Sequence, residues 1–204
     1  TRGKDMYDRM LETFRKREAD ILLGTQMVAK GLDFPDVTLV GVISADIGLS
    51  IPDFRAAERV FQLLMQVAGR SGRSHLRGEV VIQCMNVTHY TIQLARKHDF
   101  RNFYRQEIRH REGFIYPPFS RLLKLTVVSD TLHEAISLSR VLSAEIRRHL
   151  PPEALLVGPA PDLYPKVNNQ HRWQLNIKLP QNPGSKARLL KKAILQIIDP
   201  YLVK

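Results

Sequence analysis

The chain of 204 residues carries 31 lysines and arginines against 20 aspartates and glutamates, which gives a formal net charge of +11. Its hydrophobic content of 44% is ordinary for one large or two small globular domains, and no apolar run approaches the roughly 20 residues that span a bilayer. The single cysteine, Cys84, excludes an internal disulfide and a zinc site built from several cysteines. We therefore expect a cytoplasmic protein without a membrane segment.

The first half of the chain alternates helical and strand-like segments. Apolar residues recur at helical spacing in two of them, and three others are short apolar runs of the kind that form strands covered on both faces. We predict a helix over 5–18, strands over 19–26, 37–46 and 78–85, and a helix over 53–69 that Asp53 caps. This order favours half of an α/β lobe with a parallel sheet.

The second half begins with a charged helical region and then changes its pattern. Residues 89–112 are predicted to be helical with a break near Asp99, and Pro117-Pro118 marks a boundary because proline disfavours helix. A strand (121–128), a helix (131–149), two strands (154–158 and 172–179) and a helix (185–198) follow. The β-α-β-β-α order predicts a small α+β domain whose helices lie on one face of an open sheet. We expect three regions, 1–88, a helical linker over 89–118, and a C-terminal domain over 119–204.

The stretch QVAGRSGR, residues 66–73, places Arg70 and Arg73 among glycines. It fits the end of a helix, where glycine stops the helix and arginines lie near the negative end of its dipole. It fits equally a slim backbone that lets two guanidinium groups reach an anion. The local pattern alone does not decide between these interpretations.

A second stretch, LLGTQMVAKGLDFPDVTLV, offers groups that bind phosphate. Gly24, Thr25 and Gln26 present backbone N–H groups and a hydroxyl, and Lys30 adds a positive charge beside Gly31. The alternative is an ordinary strand and loop with a solvated lysine.

The basic excess lies mainly in residues 113–204, which carry 13 basic and 6 acidic side chains. A basic surface attracts polyanions, of which nucleic acid is the commonest soluble one. Candidate contacts are Lys186 and Arg188 in the last helix, and Arg172 and Trp173 in an alternating strand. A solvated helix face and a tryptophan in the core are the alternatives.

Three segments in fixed order carry a resemblance to a known family. The block ILLGTQMVAKGLDFPDVTLV and the block PDFRAAERVFQLLMQVAGRSGR resemble motifs V and VI in the second RecA-like (P-loop NTPase) lobe of superfamily 2 helicases. Together with FYRQEIRHREGFIYPPFSR, they resemble the primosomal replication-restart helicases over nearly the whole chain. The resemblance implies a partial RecA-like lobe followed by a small α+β domain similar in fold to ribosomal protein S10.

It also implies an activity and partners. Members of this family are ATP-dependent 3′-to-5′ DNA helicases that hydrolyse ATP with Mg²⁺, hold zinc in the full-length protein, and assemble the primosome at stalled forks. The implied partners are single-stranded and forked DNA, single-stranded DNA-binding protein and other primosome proteins. The implied location is the cytoplasm, in association with the nucleoid.

Roles follow residue by residue where the motifs match. Arg73 would be the arginine finger, with Arg70 and Gln66 contacting the phosphates of the nucleotide. The motif V residues would touch the DNA backbone and link it to the ATP site; they are Gly24, Thr25, Gln26, Lys30 and Gly31. Lys186 and Arg188 would meet the acidic tail of single-stranded DNA-binding protein, or DNA phosphate.

The chain also departs from the family pattern. It has no Gly-x-x-x-x-Gly-Lys-Ser/Thr, since Gly3-Lys4 is followed by Asp5, and it has no Asp-Glu-x-His and no zinc-binding cysteine set. Because it also begins with Thr1, we expect a C-terminal piece that hydrolyses no ATP by itself. Two alternatives stay open: an interaction module for nucleic acid or protein only, and a fragment of another superfamily 2 DNA translocase.

Overall fold

The computed structural model describes residues 2–25, 34, 36–69, 78–181 and 184–201, with only the backbone described for 2–4 and 184–188. The chain is a mixed α/β protein. It divides into two compact units, Thr1–Tyr104 and Arg105–Lys204.

In the described part of the first unit, two strands pair in parallel. Its elements are α1 (Arg2–Arg15), β1 (Leu39–Val42), α2 (Ala45–Leu49), α3 (Ala56–Ala68), β2 (Glu79–Ile82), α4 (Tyr90–Arg96) and the first part of α5 (Phe100–Gly113), which continues into the second unit. Leu39 pairs with Glu79 and Val42 with Ile82. Parallel neighbours need a crossover connection, and α3 lies in it.

Helix α3 forms the centre of this unit's core. Its apolar residues Val60, Phe61 and Leu64 recur at helical spacing and are buried. The ring of Phe61 stacks on Phe103 with centroids 4.0 Å apart. Because burying a large apolar side chain contributes about 1.5–3 kcal/mol, this face orients the helix firmly. The predicted helix is confirmed, and Phe61 and Leu64 of its predicted apolar residues are buried, whereas Ala57 and Met65 are partly buried.

The prediction of a strand over 19–26 is wrong for the residues that the structure describes, 19–25. Residues 19–25 have no regular structure, and Ile21 and Leu23 are 84% and 77% exposed. A strand forms only beside a partner that satisfies its backbone N–H and C=O groups, and within the described part of this unit β1 and β2 pair only with each other. The predicted strand over 37–46 is shorter than expected, since it ends at Val42 and Ala45 begins α2.

The second unit has the predicted β-α-β-β-α order. Its elements are β3 (Ser120–Ser129), α6 (Leu132–His149), β4 (Leu155–Val167), β5 (Gln170–Pro180), α7 (Gly184–Ile198) and a 3-10 turn (Asp199–Tyr201). The strands lie in the order β3-β5-β4, and both pairings are antiparallel. Strand β4 runs well beyond the predicted 154–158, because it forms a hairpin with β5 through a tight turn at Asn168 and Asn169, both with positive φ.

Both helices of this unit pack on one face of the sheet. Leu175 and Ile177 of β5 are fully buried among residues of α6 and α7, and Trp173 packs at the margin of the same cluster. Side chains alternate between the two faces of a strand, so Arg172 and Lys178 lie on the opposite face. We call that opposite face the open face of the sheet.

The helix boundaries follow local signals in the sequence. The side chain of Thr131 accepts the N–H of Glu134 at the start of α6. The predicted break near Asp99 is confirmed, because His98 has a φ of 54° and the Asp99 carboxylate accepts the N–H of Asn102 at the start of α5.

Candidate functional site

Helix α3 presents a row of polar side chains on its exposed side. The row begins just before the helix with Arg55 and continues within it through Arg59, Gln62 and Gln66. These residues are three or four positions apart, and all of them are exposed. Gln66 lies two residues before the end of α3. Arg70 and Arg73, the other two motif VI residues of the prediction, lie outside the described residues.

Asp53 holds two arginines of this row. Its carboxylate accepts the backbone N–H of Arg55 at 2.9 Å and the Nε–H of the same residue at 3.3 Å. It also lies 3.0 Å from Nη1 of Arg59. Burial opposes ionisation of Asp53, but the hydrogen bonds from Arg55 and the charges of Arg55 and Arg59 outweigh it and lower its pKa. The predicted cap therefore binds the residue just before the helix rather than its first turn.

The segments that carry the two predicted motifs lead to the same edge of the parallel sheet. The chain re-enters the described part at Asp36 before β1 and at Gly78 before β2. Because the strands are parallel neighbours, their amino ends lie side by side, and the N–H of Glu79 donates to the carbonyl oxygen of Thr38 at 2.8 Å. The described residues that follow the two segments therefore lie side by side at one edge.

Of the motif V residues, Gly24 and Thr25 lie in an exposed irregular stretch. Gln26, Lys30 and Gly31 lie outside the described residues. The parts of the chain that flank this segment contact each other, since the rings of Phe14 and Phe34 meet edge to face at 5.0 Å. Arg17 also donates to the Asp36 carboxylate at 2.7 Å.

In the second unit, the structure separates two of the predicted residues. Trp173 faces the helices, whereas Arg172 lies on the open face because neighbours in a strand point to opposite sides. Lys186 and Arg188 lie in the first turns of α7, where only the backbone is described.

Arg172 belongs to a charged cluster on the open face. Asp162 is only 7% exposed, and its carboxylate accepts a hydrogen bond of 3.0 Å from the ammonium group of Lys124. The Nε of Arg172 lies 3.9 Å from the same carboxylate. Burial opposes ionisation of Asp162, but Lys124 outweighs it and lowers the pKa of the acid. The three side chains of this cluster come from three different strands. The spacing of residues within any one strand therefore does not predict the cluster.

A further feature that the sequence reasoning missed fixes the Tyr-Pro-Pro-Phe segment, residues 116–119. Lys178 of β5 is buried and donates to the carbonyl oxygen of Phe114 at 2.7 Å. The hydroxyl of Ser120 donates to the carbonyl oxygen of Ile115 at 2.8 Å. On the helix side, Arg111 pairs with Glu107 at 2.9 Å. These contacts tie the connection between α5 and β3 to strand β5 and stabilise its two ends.

The described residues contain neither a cluster of metal-binding side chains nor a membrane-spanning helix. In that part of the chain, no three histidine, cysteine, aspartate or glutamate side chains converge as they would around a metal ion. Nor does any helix there combine the length and apolarity that crossing a membrane requires.

Comparison with known proteins gives consistent matches along the chain. The family model described as helicase conserved C-terminal domain matches residues 2–75, and the one described as primosomal protein N C-terminal domain matches residues 113–199. The replication restart protein PriA of Bacillus subtilis (strain 168) is 42% identical over 95% of this chain. The chain belongs to the PriA family. The PriA of Synechocystis sp. is 39% identical over 88% of the chain.

The chain spans about a quarter of the length of these PriA relatives, 24% of the Bacillus protein and 22% of the Synechocystis one. The helicase match contains the predicted motif V and motif VI residues, including Arg73. The PriA match begins at Gly113 and so contains Lys178 and the Tyr-Pro-Pro-Phe segment.

Proposed function

We propose that this chain is a C-terminal part of an ATP-dependent 3′-to-5′ DNA helicase that restarts replication at stalled forks. The observation that carries the proposal is the tandem of a helicase C-terminal match and a primosomal C-terminal match within one basic chain. The relatives that match it are named for replication restart.

The proposal includes a finer assignment of the two folds. We assign the first unit to the second RecA-like lobe of such a motor, since a parallel strand pair with a helical crossover is the repeating element of that architecture. We assign the second unit to a domain similar to ribosomal protein S10. The β-α-β-β-α order and the two helices on one face of the sheet support this.

Motif VI is proposed to act on a nucleotide that another part of the longer protein holds together with Mg²⁺, since this sequence lacks the loop that cradles phosphates. Bound ATP supplies a γ-phosphate whose transfer spreads negative charge over planar oxygens. Arg73 would stabilise that charge as the arginine finger, because a guanidinium is planar and permanently charged. Arg70 and Gln66 would contact the phosphates. The firm packing of α3 supports a defined position for the helix end that precedes them.

Motif V is proposed to couple DNA to this site through Thr25, Gln26 and Lys30, with Gly24 and Gly31 giving the backbone room. The support is topological, since both motif segments lead to one edge of the sheet.

The second unit is proposed to bind partners. Lys186 and Arg188 would meet the acidic tail of single-stranded DNA-binding protein or DNA phosphate, and Arg172 and Trp173 stay candidates for DNA. Forked DNA and other primosome proteins complete the proposed partners, in the cytoplasm and at the nucleoid. Zinc does not fit this chain, which holds one cysteine, so any zinc ligands of the longer protein would lie elsewhere.

The experiment that tests the motor role uses the full-length protein. Arg73→Ala is compared with the unmodified enzyme for DNA-stimulated ATP hydrolysis, and we expect a loss of about 10³-fold. Arg140→Ala, at an exposed position of α6, is the matched control and should leave the rate unchanged. An ATPase rate that Arg73→Ala does not alter would remove the arginine-finger assignment.

A second candidate function is a nucleic-acid-binding module without a motor role. The basic excess of residues 113–204 favours it, since that region carries 13 basic and 6 acidic side chains. Normal ATP hydrolysis by Arg73→Ala, together with intact DNA binding by the 204-residue chain, would support the module and count against the motor.

A further inference from the structure

The polar row of α3 faces away from the core of its unit, and contacts with Asp53 already order two of its arginine side chains. The opposite side of the helix is buried through Val60, Phe61 and Leu64, so the row faces away from the core of its unit. Arg55 and Arg59 lie about 6 Å apart along it at the 1.5 Å rise per residue of an α-helix.

Asp53 keeps the two guanidinium groups side by side. Arg55 meets the carboxylate through Nε at 3.3 Å and Nη2 at 3.4 Å, and its guanidinium carbon lies 5.2 Å from the centre of the Phe54 ring. Arg59 meets the same carboxylate at 3.0 Å. Both arginine side chains are nevertheless 52% exposed, whereas Asp53 is 20% exposed.

This arrangement has a physical consequence for binding. Ordering a long side chain costs free energy whenever a ligand must do it, and here the protein has already done so. A carboxylate that is more buried than its partners leaves much of each guanidinium surface open to solvent. Guanidinium donors match phosphate oxygens in geometry. The amide of Gln62 is already engaged, since it donates to the Glu58 carboxylate at 3.3 Å.

We propose that Arg55 and Arg59 form a track that binds the phosphodiester backbone of single-stranded DNA on the exposed side of α3. The track rests on the proposed function, which supplies DNA as the ligand. Two guanidinium groups about 6 Å apart along the helix axis can each meet one phosphate of the same strand. Helix α3 would thus contact DNA in addition to leading into motif VI.

The test measures the affinity of the 204-residue chain for fluorescein-labelled oligo(dT) by anisotropy at several salt concentrations. Each lost phosphate contact lowers the slope of log K against log salt by about 0.7 for a single strand, so Arg55→Gln/Arg59→Gln should lower it by about 1.4. The matched control is Arg140→Gln/Arg147→Gln, which removes the same charge from exposed positions on α6. The control should change the slope by less than half as much.

A charge-preserving variant separates binding from folding. Arg55→Lys/Arg59→Lys keeps both charges, and we expect it to retain the slope of the unmodified chain, since the slope depends on the number of phosphate charges neutralised. A lysine variant as weak as the glutamine variant would show that the arginines act on the fold instead, and would overturn the track.

The outcomes distinguish this inference from the proposed function. If the unmodified chain shows no salt-dependent binding of oligo(dT), DNA binding by the chain fails and the track fails with it. If it binds but the glutamine variant matches the α6 control, only the track is overturned. Displacement of oligo(dT) by ATP that disappears in the glutamine variant would assign the row to a nucleotide and also overturn it.

Discussion

The ammonium group of Lys178 donates a hydrogen bond of 2.7 Å to the backbone carbonyl oxygen of Phe114, 64 residues earlier in the chain. The same ammonium lies 3.8 Å from the centre of the Tyr116 ring. The Lys178 side chain is only 9% exposed, and this burial lowers its pKa. A cation from the central strand of the sheet thus holds the segment that precedes β3.

Lys178→Met should destabilise the protein by about 1–3 kcal/mol, because methionine keeps the apolar stem but leaves the Phe114 carbonyl without its donor and removes the cation from the Tyr116 ring. Urea unfolding followed by fluorescence of Trp173, the single tryptophan, measures this. Lys191→Met removes the same charge from an exposed position of α7 and should change stability by less than about 0.5 kcal/mol. Equal losses for the two variants would contradict the role of Lys178.

Asp162 should make stability depend on pH in the acid range. Its pKa lies below the ordinary value of 3.8, since Lys124 and Arg172 outweigh the effect of burial. The unfolded chain therefore takes up a proton first, so the contribution of Asp162 is complete above pH 3.8 and is lost as pH falls through the lowered pKa. Urea unfolding from neutral pH downwards should show a steeper acid loss for the unmodified chain than for Asp162→Asn. Asp199→Asn, at an exposed position, is the control and should lose stability in acid as the unmodified chain does. If Asp162→Asn also lost as much stability in acid as the unmodified chain, the prediction would be wrong.

Gly158→Ala should be strongly destabilising, by about 2–4 kcal/mol, for two reasons. Gly158 has a φ of 101°, which residues with a side chain rarely adopt, and an added Cβ would lie 2.8 Å from the carbonyl oxygen of Gln174. Gly113→Ala is the matched control, because an added Cβ there meets nothing within 4 Å, and it should alter stability by less than about 1 kcal/mol. Thermal unfolding of both variants measures the difference. A Gly158→Ala variant as stable as the control would exclude the predicted clash.

Asp46→Ala should release the chain that follows β2. The Asp46 carboxylate accepts the backbone N–H groups of Met85 at 2.6 Å and Asn86 at 3.1 Å, and these bonds lower its pKa. Amide hydrogen exchange measured by NMR should become faster at Met85 and Asn86, while the amide of Val81 within β2 keeps its rate. Asp46→Asn keeps one acceptor oxygen and should give an intermediate rate. Unchanged exchange at both amides in Asp46→Ala would refute the tether.

Much of the secondary structure could be predicted because it depends on near neighbours in the chain. The buried stripe of α3, the break at Asp99 and the start of α6 at Thr131 are each decided within one or two helical turns. The exposed stretch at Ile21 shows the limit of this reasoning. An apolar run becomes a strand only when another strand lies beside it, and no local pattern reports whether one does.

The candidate site divides in the same way. The positions of Gln66 at the end of α3 and of motif V before β1 follow from the order of elements along the chain. The hold of Asp53 on Arg59 needs the helix to be formed, and the cluster around Asp162 needs three strands in one sheet. Lys124, Asp162 and Arg172 are far apart in sequence, and they meet only after the pairing of the three strands has set their register.

The amino-acid sequence by itself determined the helices and strands of the second unit in their order, the basic surplus, and the resemblance that the family comparisons confirm. Periodicity, charge and motif spacing are properties of the chain before it folds. Only the tertiary structure decided that the strands lie in the order β3-β5-β4, that Lys178 meets Phe114, and that Arg172 lies beside Asp162. Those outcomes depend on which distant segments bury their apolar faces together, and that choice is made by the whole core rather than by any short stretch of sequence.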